Sequence, residues 1–450
     1  MPYMSQIAMD SPYSLDVPHD CLWAPENRVE SPECVPQDRG EAMVRAQTIV
    51  SATASTSALF ELFSAGIVGV LCDKIGTKPV AIVSNIGQLI RMAVLMLSAN
   101  SHSLIPFQFH HVFTAMLAAN AISGLCNQPK IAVAAYLARI STPETRTQLF
   151  GRMSACVGFG ICAGPIIIMG LTRLPGHNGS GRDALALGCC LQLASLSVVC
   201  AAWPSRAAMA EEQKEVVPWS DAFPCKLMKT TLLSSSALAM YGTMFFVDGF
   251  AVDMAMAGFA VFLRTVFHWT TAKLSAIMLV HGMMIPIVLG LLLPWVLRRF
   301  GEICVLKISA LAVLADFLAA FVVGLTAVGD LFFIVPVIGS VGTMMNPVLM
   351  GMACRELPKE DMGRLSGAIS LVETVAKVAS PLLAGTIMHG TLNGPMPSTV
   401  YLVAACIMLP GVAMAWLVKP KDCSAGGAAS SGEEESSTDD ASSSDTEGIE

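Results

Sequence analysis

The chain predicts an all-α membrane protein built as two helical bundles with about eleven spans, on three observations. Hydrophobic residues make up 54% of the chain and charged ones only 14%, with a mean hydropathy of +0.62, whereas soluble domains are about a quarter charged. Stretches long enough to cross roughly 30 Å of hydrocarbon, about 20 residues as helix, recur along its length. One spacing also occurs twice: Gly151 to Pro165 reads GRMSACVGFGICAGP and Gly367 to Pro381 reads GAISLVETVAKVASP, 216 positions apart. Each copy follows a short charged loop containing proline, so the chain reads as a duplicated unit, the sequence signature of secondary transporters.

The apolar stretches lie near 47–71, 79–98, 113–138, 148–171 and 183–203, then near 234–263, 272–297, 304–325, 330–353, 364–388 and 398–418. Their length selects helix over strand, because a span must satisfy its backbone groups internally. The resulting organisation is a polar acidic segment (1–45), a five-span bundle (46–203), a central loop (204–231), a six-span bundle (232–421) and an acidic Ser-rich tail (422–450). The tail cannot bury apolar surface and is expected to be disordered. The formal charge of -7 comes from the flanks: residues 1–45 carry eight acids against three bases, and 422–450 carry nine acids and no base, which leaves the middle basic.

Assigning alternate connections to one side collects seventeen Lys and Arg there, against Arg173, Arg182, Arg264 and Lys273 on the other. The positive-inside rule then puts the central loop and the C-terminus in the cytoplasm. The sole Asn-x-Ser/Thr site, Asn178, falls in an outer loop, where glycosylation reaches it. No charged-then-apolar leader opens the chain. The fourteen cysteines form no CxxC or Cys/His cluster and read as small hydrophobes. Metal, nucleotide and nucleic-acid motifs and catalytic constellations are absent from the sequence, so an enzyme, a cofactor or direct ATP drive is not expected.

Between the first two spans stands Gly69-Val-Leu71-Cys-Asp73-Lys74-Ile-Gly76-Thr77-Lys78. It resembles the GxLxDRxGRK loop of the major facilitator superfamily, with Thr77 where a base is usual. Gly69 suits close helix contact, Gly76 a tight turn, and Asp73 can accept charge-assisted hydrogen bonds. Leu297-Arg298-Arg299-Phe300-Gly301-Glu302 is a weaker copy. The loop Pro143–Arg146 before Gly151 resembles the family's loop after its fourth helix. Gly151, Gly160, Gly164 and Pro165 resemble its antiporter signature, although the usual paired glycines are replaced by Ile168 and Met169. The likeness covers roughly residues 46–420 and is nearest to fungal-type efflux and proton-coupled folate-carrier-like members. It implies twelve helices, and residues 1–45 are too polar to supply the first, so one wall of the substrate path is expected to be open.

A charge at the bilayer centre costs roughly 2.5–3.5 kcal/mol on insertion scales, so each needs a partner or a task. Glu61, Arg91, Lys130, Asp248, Asp253, His281, Asp316, Glu373 and Lys377 are such charges. Glu373 and Lys377, four apart, are expected to pair on one helix face. Asp248 and Asp253 lie five residues apart, about 140° of rotation, so only one is expected to face a cavity, and Asp248, flanked by aromatic residues, is favoured. Lys130, in the polar patch Asn127-Gln128-Pro129-Lys130, and His281 are candidate proton handlers. The resemblance puts Asn120 where exporters of the superfamily often carry Arg.

The sequence thus points to a multi-pass transporter in the plasma membrane that moves a small organic solute by alternating access, with proton-coupled efflux favoured. Proton-coupled uptake and a non-transporting member of the same fold are the rival readings.

Overall fold

The computed structural model describes residues 36–104, 109–126, 128–171, 181–203, 222–326, 328–391, 394 and 396–418, and every regular element in them is helical. The first half comprises α1 (Pro36–Lys74), α2 (Thr77–Leu104), α3 (Phe109–Cys126), α4 (Pro129–Ile140), α5 (Arg146–Leu171) and α6 (Gly181–Ala202). A short α7 (Pro224–Thr230) precedes the second half: α8 (Ser236–Ala257), α9 (Phe259–Val266), α10 (Thr271–Ile287), α11 (Leu293–Thr326), α12 (Val335–Gly342), α13 (Met345–Ala353), α14 (Met362–Thr391) and α15 (Thr399–Leu417).

Nine segments of the described residues are long and apolar enough to cross a membrane. One of these, Lys273–Thr326, holds 54 residues, about 80 Å if straight, far more than a bilayer needs. It turns at Gly301, whose φ of 76° leaves the helical region, and so makes two crossings. The single stretch expected near 113–138 is two helices, because Pro129 has no N–H to continue α3. Its neighbour Gln128 adopts a non-helical φ of -124°, and the break puts polar side chains inside the span. Pro286 in α10 is followed by a π-helical turn at Val288–Leu292, the widened turn that a proline's missing donor favours.

Within the first bundle α1 and α2 pack on α3, and α6 packs on α2. In the second, α8 packs on α14 and α15, and α11 on α12 and α15. An aromatic knot fills the second bundle: Phe262 is fully buried, with its ring centroid 5.1 Å from Tyr401 and 5.7 Å from Phe267.

Two long helix pairs join the bundles, α1 with α14 and α5 with α10. Small residues let them approach. A Cβ on Gly69 would lie 2.7 Å from the carbonyl oxygen of Gly363, and one on Gly151 would lie 2.6 Å from Leu293. Gly367 faces Gly69 in the same contact, so the two copies of the duplicated spacing put a glycine at the same task on α5 and α14.

The halves differ, among the described residues, in how their last two helices are packed. Position by position, α5 and α6 correspond to α14 and α15, yet α8 bridges the latter pair while α5 and α6 touch only slightly. A cavity of about 360 Å³ opens between α2, α4 and α6, lined by Ser84, Asn85, Gln88, Pro129, Gln192 and Ser195. Residues 1–35, which bear on the expected missing helix, lie outside the described residues, and so do Asn178 and the acidic tail; α1 begins at Pro36.

Candidate functional site

The turn after α1 is built by Gly76, whose φ of 93° favours glycine. It brings the carboxylate of Asp73, only 5% exposed, against the start of α14 in the other bundle. Asp73 Oδ1 accepts the backbone N–H of Gly363 at 2.9 Å, and Oδ2 accepts that of Arg364 at 2.9 Å. An anion at a helix N-terminus meets unsatisfied donors and the positive end of the helix dipole. Arg139, in the last turn of α4, donates to the same carboxylate at 2.5 Å.

A second clasp lies on the α5 side. Glu302 Oε1, just past the Gly301 turn, accepts from Thr147 Oγ1 at 2.6 Å and from Arg355 at 2.7 Å. Arg355 also donates to the carbonyl of Pro143 at 2.9 Å, and Arg146 donates to that of Cys354 at 2.7 Å. Arg139 and Arg355 are separated by the same 216 positions as the glycine motifs. Each pairs with an acid of its own half that also reaches the first turn of α14 or α5 in the other half. The acids themselves are displaced, Asp73 three residues before its turn glycine and Glu302 one after, which is why the copy looks weak by eye.

The predicted gating residues divide. Asp73, Gly69 and Gly76 form the clasp, whereas Lys78 donates to the carbonyls of Cys200 at 3.0 Å and Trp203 at 2.9 Å. Lys78 therefore ties the C-terminal end of α6 to the start of α2, a cation on orphan helix carbonyls.

Farther along the interface lies a cluster of charges. Lys130 Nζ bonds both carboxylate oxygens of Glu373, at 2.8 and 2.5 Å, and Lys377 Nζ lies 3.4 Å from Glu61 Oε1. The expected pairing of Glu373 with Lys377 along α14 is thus replaced by two crossed pairs between bundles, because α1 and α4 offer opposite charges across the interface, closer than the helical neighbour. Asp248, 3% exposed, accepts from Asn346 of α13 at 3.1 Å. Asp253 is half-buried and stands in the field of Lys377, Glu373, Lys130 and Glu61; Asp248 stands in that of Glu373, Asp253 and Lys130. Both aspartates thus lie in the field of the α14 charges from opposite flanks of α8, as their 140° offset requires. The Lys130 side chain is 60% exposed and that of Glu373 11%, so the pair sits at the edge of the contact between the bundles.

Other candidates stand apart. His281 has no hydrogen bond or ion pair to this cluster among the described residues; it adjoins Gly282, where α10 meets Cys162 of α5. Gly160 and Gly164 have open space where a Cβ would go, so Gly151 and Gly158, not they, carry the close packing of α5. Pro165 and Pro381 sit inside α5 and α14, which continue through them. Asp316 of α11 packs its carboxylate on Gly339 of α12, outside the cluster. Among the described residues no group of three or more His, Cys, Asp or Glu is placed to hold a metal. Arg139, Thr147, Glu302 and Arg355 were missed as site residues; the shared offset of the two arginines was the available signal.

Residues 42–381 match the family model of the Major Facilitator Superfamily. The chain belongs to that superfamily. Its relatives include the class C tetracycline resistance protein of Escherichia coli, 23% identical over 369 residues, which cover 78% of this chain and 83% of the relative. The fold is similar to that of the human organic anion transporter MFSD10 (TETRAN), with TM-score 0.67 and 16% identity over 84% of this chain and 85% of that one. It is also similar to the proton:xylose symporter XylE of E. coli, with TM-score 0.63 and 12% identity over 93% and 94%. The protein is a multi-pass membrane member of a transporter family.

Proposed function

We propose that this superfamily member is a secondary active transporter that expels a small organic solute from the cytoplasm in exchange for protons. The observation that carries the reading is the pair of crossed ion pairs, Lys130–Glu373 and Lys377–Glu61. Each joins one bundle to the other within spanning helices, where charge is expensive unless it is paired or used. Movement of the bundles relative to each other must break or re-form these pairs, so a proton or solute that alters them biases the movement. The relation to a tetracycline resistance protein supports efflux.

The excess of Lys and Arg in the connections around Asp73 and Glu302 supports a cytoplasmic side for both clasps. With both clasps made, the bundles are tied together on that side. The plasma membrane, a cytoplasmic C-terminus and a glycan on Asn178 belong to the same proposal.

The test uses the full chain in liposomes with an imposed pH gradient. Solute flux that follows the gradient, and collapses when an ionophore removes it, is the expected result. Gradient-independent flux removes the proton coupling, and no flux for any solute class removes the transporter reading.

A further inference from the structure

The cavity inside the first bundle is built differently from the same place in the second. Counted from the turn glycines Gly76 and Gly301, Asn85 and Gln88 of α2 correspond to Ala310 and Val313 of α11. At the offset of the repeated spacing, Gln192 and Ser195 of α6 correspond to Met408 and Gly411 of α15. Ala310, Val313 and Met408 are buried in one apolar core, and a Cβ on Gly411 would lie 3.2 Å from Val247 of α8. The second bundle closes this place with apolar side chains, so the polar lining of the first is not something the fold requires.

The polar groups are only partly used. Asn85 Oδ1 accepts from Gln192 Nε2 at 2.9 Å and from Ser195 Oγ at 2.9 Å. Gln88, one turn on, makes no hydrogen bond with its carboxamide among the described residues, and Oε1 of Gln192 takes none either. Polar groups inside a span are costly unless paired, so these ends are available to a ligand. No ionisable residue is among those that line the cavity, and Ala81, Pro129, Val133, Val199 and the Trp203 ring supply apolar wall. The ring is held by its Nε1, which donates to Thr77 Oγ1 at 3.3 Å, and by Tyr136, with centroids 5.2 Å apart.

We propose that this cavity binds an uncharged organic molecule with a hydroxyl group on an apolar body, an alcohol or phenol that enters from the bilayer. A hydroxyl both donates and accepts, so it meets the free carbonyl of Gln192 and either end of the Gln88 carboxamide. The volume of about 360 Å³ is that of a small organic-ligand site. An ion is disfavoured because nothing in the wall compensates its charge. α6, which bounds the site, turns Leu191, Leu193 and Val198 outward, each about half exposed or more, toward the side from which an apolar molecule arrives. The cavity lies within one bundle, away from the contacts of α1 with α14 and of α5 with α10, so this site goes beyond the transport reading and does not depend on it.

The probes are 2-naphthol, a phenol, and 2-methoxynaphthalene, which has the same rings without the O–H. Binding is read as quenching of tryptophan fluorescence on the detergent-solubilised full chain. The expected result is saturable quenching by 2-naphthol, most of it lost in Trp203→Phe, and about tenfold weaker binding of 2-methoxynaphthalene, roughly 1.4 kcal/mol. Gln88→Val installs the residue type of the second bundle and is expected to weaken 2-naphthol binding about tenfold while the unfolding temperature holds or rises, a combination that misfolding does not produce. Ala81→Leu, copied likewise from Leu306, is expected to fill the cavity and abolish saturable binding. Equal binding of the two probes, or 2-naphthol binding unchanged by both Gln88→Val and Ala81→Leu, overturns the proposal. Absence of saturable binding to the unmodified protein overturns it too and leaves the cavity to water.

Discussion

Asp73 of the first bundle holds the backbone N–H of Gly363 in the second, 290 residues away, at 2.9 Å. The contact joins a charged side chain to the main chain at the start of a helix, so it depends on how closely α1 and α14 approach.

Gly363→Ala tests that approach. A Cβ at position 363 would strike the Asp73 carboxylate and the Gly69 carbonyl, so the clasped state loses its hydrogen bonds while the rest of α14 is unchanged. Cysteine labelling at this end of the interface is expected to become faster, and solute flux to fall about tenfold, a shift of roughly 1.4 kcal/mol between the two states. Unchanged labelling removes the clasp role.

Asp73→Ala leaves Arg139 without its carboxylate partner. Removing one member of a buried pair costs about 3–5 kcal/mol, and Asp73 and Arg139 are 2% and 17% exposed at their side chains. Transport is expected to drop steeply while membrane insertion is kept, and Asp73→Ala combined with Arg139→Leu is expected to lose less stability than the sum of the two changes. Additive losses in thermal unfolding contradict the pairing.

Glu302→Gln addresses the second clasp. It keeps a hydrogen-bond acceptor for Thr147 but loses the charge that Arg355 pairs with. A loss of about 1 kcal/mol from a part-exposed pair predicts a modest fall in flux, far smaller in high salt, because screening weakens the exposed pair. A salt-independent effect places the role of Glu302 elsewhere.

Exchanging the charges of one crossed pair tests its partnership across the interface. Lys130→Glu alone sets two carboxylates together and is expected to abolish flux. Adding Glu373→Lys restores opposite charges at the same positions and is expected to recover a measurable part of it. No recovery on adding Glu373→Lys contradicts the pair.

Composition, span length and the repeated spacing were enough for the class, the two-bundle fold and the glycines that let α5 and α14 approach their partners, because lipid leaves the chain only helices to cross with and close packing only small residues to use. Asp73 was also legible, since its loop carries its own turn glycine and base. Glu302 was not: its turn copies that of Gly76, but its acid is displaced along the chain, and only the arrival of Thr147 and Arg355 gives it a task. Lys78 looked like part of the same loop, yet it caps α6, a choice set by where that helix ends.

What the sequence by itself determined is which segments enter the membrane and which charges go with them, for those follow from local transfer energies and helical period. The tertiary structure alone decided who pairs with whom: Glu373 with Lys130 and Lys377 with Glu61, not with each other. Ion pairing falls off with distance between side-chain tips, and those distances are fixed by the packing of helices far apart in the chain, not by spacing along any one of them.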